Sequence, residues 1–499
     1  MPAQPRTERS PLLPTACEDA GPVEPRTGTS AAASKGGRLG PAQRLAIAIP
    51  FIALLLAVEV AASFFTTSVN QIQEGIICRQ RFPNVTDPVR DPLCKHRDVQ
   101  SELSIIQGWE ATFGLIPGIL TGVPYGVAAD RYGRRIVLAL SLLGLAMSQL
   151  TDVVMCWFPD IFPLRLVWAA AIWTLVGGGP FVFSAMMLTI VNDVSTDAQR
   201  STAFFYISAL MIGGQLLSGP ITYAAMTHGG PWVSALLGFG CLLSSSVVAL
   251  GFPDTRPYSV DEPARNETDH VHDGDDRNPA LAPWWSRARQ ARQRVIASAR
   301  SLFFDNPVLG CLVFSLIFTT LGKYANLVLM QYTTKRFGWS WSESAFLSSI
   351  SASVNLTMVA VLLPLIGQFL LFNFGLSPLA KDLWLVRAGI ILLVAGAFGV
   401  GFARTSPMLV TSLIIYSLGY GYSPAMRSLL ALVAGDAHIG VLFTAMSVLE
   451  STGTLIAVPL MAATFRIGLR WGESWTGLPF IAAGCLLSCA AIIVFAVRL

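Results

Sequence analysis

From about Leu45 onward, apolar runs of twenty or more residues alternate with short polar breaks. A run of that length, wound as a helix, crosses the roughly 30 Å hydrocarbon core of a bilayer. The first half carries runs at about 45–69, 103–129 and 136–158, a fourth from 164, a fifth through 213–220 and a sixth ending near 252. The second half carries runs near 307–333, 343–370, 383–404, 407–431, 439–465 and 477–498. The pattern predicts an all-α integral membrane protein of about twelve transmembrane helices. Six spans on each side of a long hydrophilic stretch is the arrangement of two pseudo-symmetric six-helix bundles facing each other across a cavity.

The expected division is a disordered tail at 1–44, an N-terminal bundle at 45–252 with an outer loop at 70–101, a central loop at 253–306 and a C-terminal bundle at 307–499. The tail is rich in Pro, Ala, Gly, Ser and Arg and lacks apolar periodicity. Its segment Glu8-Arg-Ser-Pro-Leu12-Leu13 is similar to an acidic dileucine sorting signal, though plain unstructured tail is the preferred reading. The first apolar run starts too far in and runs too long for a cleavable signal peptide. The central loop is acidic first, with His270 and His272 in no metal-binding spacing. It then turns basic, where Arg287, Arg292 and Arg300 alternate with Trp284, Ile296 and Phe303, a pattern for an amphipathic helix on the inner leaflet.

Composition agrees with the pattern. Of 499 residues, 53% are hydrophobic and 13% charged, about half the charged share of a soluble protein. The formal charge of +4 reflects basic loops on the cytoplasmic side, so it gives no support to nucleic-acid binding. The outer loop has two features suited to a non-cytoplasmic face. Asn84-Val85-Thr86 is a glycosylation acceptor, and Cys78 and Cys94 can join in an oxidising compartment. Cys156, near the outer end of the third run, competes for either partner, so the connectivity stays open. Both termini are then cytoplasmic.

Between the second and third runs stands Gly126-Val-Ala-Ala-Asp130-Arg131-Tyr-Gly133-Arg134-Arg135. Three arginines in so short a turn belong on the cytoplasmic side. Gly126 would let a neighbouring helix approach closely, Gly133 suits a positive φ, and Asp130 can accept hydrogen bonds from arginines or a helix N-terminus. The stretch resembles the signature of the major facilitator superfamily of transporters, Gly-x-x-x-Asp-Arg-x-Gly-Arg-Arg/Lys. The resemblance implies a gating clasp, made by Gly126, Asp130, Arg131, Gly133, Arg134 and Arg135, that holds one access state and loosens in the other. The fifth run carries Gly213-Gly214-Gln215-Leu-Leu-Ser-Gly219-Pro220. Its Gly219-Pro220 pair resembles the antiporter motif of proton-driven exporters, which implies a kinked, leak-sealing fifth helix. In the fourth run, Gly177-Gly178-Gly179-Pro180 permits close backbone packing and a kink.

Ionisable groups deep in apolar spans are costly and mark substrate or ion paths. Four stand out: Glu59, Glu110, Lys323 and Glu450. Glu59 lies about 21 Å along a helix from Leu45, and Lys323 about 22 Å from Val308. Matched depth and opposite charge suggest an ion pair that forms in one access state. Glu450, about 17 Å from Ile439, is placed to carry a proton between faces, and Glu110 sits closer to the outer interface. Arg427 is expected to answer a carboxylate or a lipid phosphate. Trp109, Trp173, Tyr332, Tyr416, Tyr420 and Tyr422 could stack on an amphipathic ligand, although each alone reads more simply as core or interfacial belt.

The sequence therefore predicts a secondary transporter of a small organic molecule, without cofactor or metal and acting as a monomer in the plasma membrane, with the vacuolar membrane as the alternative. The resemblance favours proton-coupled efflux of a drug-like compound or secondary metabolite. Proton-coupled uptake, as in the more distantly similar folate-transporter branch, is the alternative, together with a non-transporting sensor. An enzyme is disfavoured because none of the five histidines, His96, His228, His270, His272 and His438, lies deep in a span. A primary pump is disfavoured because no phosphate-loop glycine motif is present.

Overall fold

A computed structural model describes residues 41–89, 91–194, 197–252, 307–434 and 439–497. The dileucine segment, the whole central loop with its expected amphipathic helix, and the side chain of Asp130 lie outside the described residues. Helices α1 (Pro41–Arg81), α2 (Arg97–Tyr132) and α3 (Arg134–Trp157) open the chain. Next come a 3-10 stretch, Leu164–Leu175, and a helix, Gly179–Val194, together α4. The helix Asp197–Leu250 breaks at Gly230, φ 78°, into arms at 197–229 and 231–250, here α5 and α6. Both arms flank α1: Gly214 lies against Glu59, and Gly238 against Ala61 and Phe64.

The second half repeats this plan. α7 runs from Pro307–Lys323 through a 3-10 turn to Leu329–Phe337, and α8 from Trp341–Thr357 through a π turn to Leu363–Phe372. α9 is Pro378–Gly401, and α10 joins Ser406–Leu418 to Tyr422–Ala434 through a 3-10 turn. α11 is Ile439–Trp471 and α12 is Leu478–Ala496. Packing follows a six-helix repeat. α3 packs on α4 and on the α5–α6 helix as α9 packs on α10 and α12, and α2 meets α11 across the halves as α8 meets α5. Each half has its own buried core, one around Leu138, Leu142 and Met187, the other around Leu312, Ile390 and Leu429.

Several boundaries differ from the sequence reading. The outer loop expected at 70–101 shrinks to about 82–96, because α1 continues to Arg81 and α2 starts at Arg97. The polar residues that ended the apolar run, Gln73 and Glu74, are buried and bonded to other helices instead of to water. Lys381, Asp382 and Arg387 lie on α9, which starts before the apolar run at 383; Asp382 accepts from Ser428 at 2.6 Å and Arg387 donates to the Val497 carbonyl at 2.8 Å. The backbone stays helical through Pro220, and the break falls at Gly230. Gly219 serves contact instead of bending: a Cβ there would come within 2.1 Å of Ser349 Oγ and 2.9 Å of the Ala345 carbonyl oxygen on α8.

Gly126 also departs from expectation, since a Cβ on it would meet nothing within 4 Å. Close packing is carried by the Gly177–Gly179 break in α4, where φ is 82°, 78° and 60° at successive residues. That turn lies on the α3 backbone, and Tyr125 of α2 holds it: the phenol accepts from the Gly177 N–H at 2.8 Å and donates to the Leu175 carbonyl at 3.0 Å. Gly133 does take a positive φ, 109°, between α2 and α3. There Arg134 donates to the Thr189 carbonyl of α4 at 3.2 Å, and the Arg131 guanidinium lies 5.5 Å from the Tyr132 ring centre.

Candidate functional site: a polar cavity and a latch at the disulfide end

At the end of the bundle opposite Gly133, Cys78 and Cys94 form a disulfide, and Cys156 is free and buried. Asp91 caps a short 3-10 helix, Pro92–Lys95, which sets Lys95 next to the disulfide. Lys95 Nζ donates to both oxygens of Glu74 at 2.7 and 2.8 Å. Glu74 is 3% exposed and also accepts from Gln100 in the first turn of α2. Asn84 is exposed in the same loop.

The third group on Glu74 comes from the other half. Ser340 and Glu343 form a capping box that starts α8, which makes Trp341 its first helical residue. Such a box satisfies two orphan backbone donors and fixes where the helix begins. The Trp341 indole N–H then donates to Glu74 Oε2 at 2.8 Å, and Lys95 Nζ lies 5.6 Å from the indole centre. Beside it, Gln331 of α7 donates to the Gln100 carbonyl at 2.8 Å and to its side-chain oxygen at 3.2 Å. A carboxylate in a low-dielectric site is tolerable only with such a set of partners. The result is a latch tying α1 and α2 to α7 and α8.

The disulfide supports that latch. It closes a loop of 16 residues, for which chain entropy gives about 3 kcal/mol. Replacing Cys78 and Cys94 by serine is expected to lower the unfolding free energy by about that amount and to loosen Lys95 from Glu74. Thermal unfolding of the purified double variant, set beside the wild type under oxidising and reducing conditions, checks this; equal melting would contradict it.

Below the latch a cavity of about 420 Å³ opens between α1, α2, α3 and α4, with Leu327 of α7 on its wall. Glu110 and Asp152 both line it, as do Gln107 and Gln149, and no basic side chain does. Gln73 donates to Glu110 at 3.1 Å. Asp152 is 4% exposed, and its Oδ1 has no hydrogen-bond partner; the same holds for Gln73 Oε1, Gln149 Oε1 and Gln107 Nε2. Buried polar atoms are almost always paired in folded proteins. Three of these orphans belong to residues that line one cavity, and the fourth is on Gln73, which bonds to Glu110 of its wall; together they mark a place built for something else to bind.

Of the four ionisable groups singled out in the sequence, only Glu110 joins this cluster. Glu59 is half-buried on α1 and packs against Gly214. Lys323 does not reach it: the ammonium donates to Ser423 and lies 5.6 Å from the rings of Tyr420 and Tyr422. Glu450 is no isolated carboxyl, because Arg427 donates to both of its oxygens at 3.1 Å, and this pair lies within electrostatic reach of Lys323. Lys323, Arg427 and Glu450 thus form a second charged group, in the other half. Tyr332 and Tyr422 are buried, the first donating to the Val400 carbonyl at 2.9 Å, while Tyr420 stays exposed and Trp109 stacks on Phe113.

Asp152 and Glu74 were missed for identifiable reasons. Asp152 stands about 9 Å by helical rise from Phe158, so it reads as interfacial, and Glu74 was assigned to a loop. A period test across 70–81 holds the missing signal: Ile72, Ile76 and Ile77 recur at helical spacing and all three are buried.

Two halves related by a six-helix repeat and latched to each other at one end have the architecture of a membrane transporter. Residues 98–458 match the sequence pattern of the Major Facilitator Superfamily, and the chain belongs to that family. It is a multi-pass membrane protein of a family that moves small molecules. It is 29% identical over 510 aligned residues to the MFS efflux pump atnC of Emericella nidulans, covering 100% of this chain and 94% of that one. It is also 29% identical to the efflux pump ustT of Aspergillus flavus, covering 86% and 83%. Among solved structures, a D-xylose–proton symporter superposes with a TM-score of 0.55 at 16% identity, over 90% of this chain and 96% of that one, which speaks to the fold alone.

Proposed function

We propose that the protein exports a small organic molecule, a drug-like compound or secondary metabolite, in exchange for protons. The observation that carries this reading is the placing of Glu59, Glu110 and Asp152 inside the spans of a chain matched along its whole length by a fungal efflux pump. Carboxyl groups held in apolar spans exist at a cost and are the usual carriers of protons through transporters. In this reading the disulfide end is outside, where Asn84 is glycosylated, and the 126–135 turn, the N-terminal tail and the central loop are cytoplasmic, in line with the positive-inside rule. The latch then seals the outer side, and the cavity takes substrate from the cytoplasm. The protein works as a monomer in the plasma membrane.

Proteoliposomes with an imposed pH gradient and a panel of small organic compounds test this. The expected result is gradient-driven movement of at least one compound against the proton flow, reduced tenfold or more by Glu59→Gln or Glu110→Gln. Movement indifferent to the gradient would overturn proton exchange. Accumulation in the same direction as the protons would replace export by uptake, and an absence of flux for every compound, with signalling intact, would favour a sensor.

A further inference from the structure

We propose that the cavity beside α3 is a recognition site for a protonated amine, so that the exported compound carries an ammonium or guanidinium group on an otherwise apolar body. The proposal deepens the transporter reading and rests on it. The charge of the wall comes first. Glu110 and Asp152 face a cavity of about 420 Å³ with no basic side chain among its lining residues. Two carboxyl groups in one low-dielectric space need neutralising, by protons or by a cation.

The hydrogen-bond balance adds chemistry to charge. Of the unpartnered atoms on the lining residues, Asp152 Oδ1 and Gln149 Oε1 are acceptors, and Gln73 Oε1, on the side chain bonded to Glu110, is a third acceptor next to the wall. An ammonium brings three donors and no acceptor, and a guanidinium five. An anion or a plain hydrocarbon would leave these acceptors unmet and add desolvation cost. Much of the rest of the wall is apolar, including Phe65, Leu115, Leu145, Val167 and Leu327, with Thr66, Asn70, Ser148 and Thr174 as its neutral polar members. That combination, an apolar pocket with a few convergent polar groups, is the usual build of a small-molecule site. The other charged group, around Lys323, Arg427 and Glu450, has its own internal pairing, so it does not compete for the cation on the same terms.

The same volume could serve protons only, and binding separates the two. Three fluorescent probes sharing one dansyl body test it on the purified, full-length protein in lipid nanodiscs at pH 7: dansylcadaverine, its N-acetyl derivative, and dansyl-6-aminohexanoate. The primary amine is expected to bind at least tenfold more tightly than the acetylated and anionic probes. Asp152→Asn should remove most of that preference, and Glu110→Gln should reduce it, with the weak binding of the acetylated probe unchanged. Both substitutions keep the side-chain shape, and thermal unfolding reports whether each variant is folded. If one fails to fold, the other and the wild-type ratio of amine to acetylated probe still decide. Equal binding of the three probes, no binding of any, or a preference untouched by both variants would overturn the proposal. Because no flux is measured, a failure here leaves the export reading standing, and a failure of flux leaves this result intact.

Discussion

Glu74→Ala is expected to shift the protein about a hundredfold away from the conformation closed at the disulfide end. Glu74 is 3% exposed and holds Lys95, Gln100 and Trp341 together. Removing one member of a buried charged group typically costs about 3–5 kcal/mol because its partners are stranded. Lys95 keeps 23% of its side chain exposed, so it recovers some hydration, and the lower end of that range applies. About 3 kcal/mol corresponds to roughly two powers of ten in an equilibrium. When the two halves part at this end, Glu74 and Lys95 gain water, so the substitution penalises the closed state far more than the open one. Spin labels at Ser101 and Lys335, in a background cleared of the exposed cysteines Cys311, Cys485 and Cys489, report the separation across the latch. A distance distribution identical to the wild type would sink the idea. Trp341→Phe keeps the ring and loses only the N–H donor, so it should produce a smaller shift in the same direction, about 1.5–3 kcal/mol for a bond to a charged acceptor.

Gly177→Ala should destabilise the fold by roughly 2–5 kcal/mol, and Gly126→Ala by almost nothing. At Gly177 a Cβ would fall 2.4 Å from the carbonyl carbon and oxygen of Leu140 and from the nitrogen of Ser141, all backbone atoms that cannot swing aside. Its φ of 82° adds about 1–2 kcal/mol for any residue with a side chain, and overpacking adds about 1–3 kcal/mol. Gly126 meets nothing within 4 Å and sits inside α2, where alanine has the better helix propensity. Thermal unfolding of the two purified variants checks the contrast. If Gly177→Ala melted with the wild type, the α3–α4 contact would not be as tight as described; if Gly126→Ala melted far below it, Gly126 would have a neighbour after all.

The contrast between these glycines shows how far the sequence reading reached. Gly126 belongs to the most recognisable motif in the chain, yet it packs against nothing. Gly177 belongs to a run whose capacity for close packing was legible, but the surface it packs on was not. A glycine states that a Cβ is absent. Only the neighbouring helix decides whether that absence is used.

What the sequence alone determined is the all-α membrane architecture, since runs of twenty apolar residues have one low-cost fate in a bilayer. It also determined the family, through the residues between Gly126 and Arg135, and the positive φ at Gly133. Glu110 stood out locally as an acid in an apolar run, and it lines the cavity. Tertiary structure decided the rest. Asp152, Gln107 and Gln149 share one cavity with Glu110, and Gln73 of α1 bonds to Glu110; nothing in the linear order of these three helices says so. Lys323 and Glu59 were matched by depth, but depth along a helix says nothing of azimuth, and Lys323 faces Ser423 and the α10 tyrosines. Glu74 and Trp341 are 267 residues apart, and each is unremarked in its own stretch. They meet because a disulfide loop and a capping box fix two helix ends opposite each other, and a hydrogen bond between chain-distant groups depends on that placement alone.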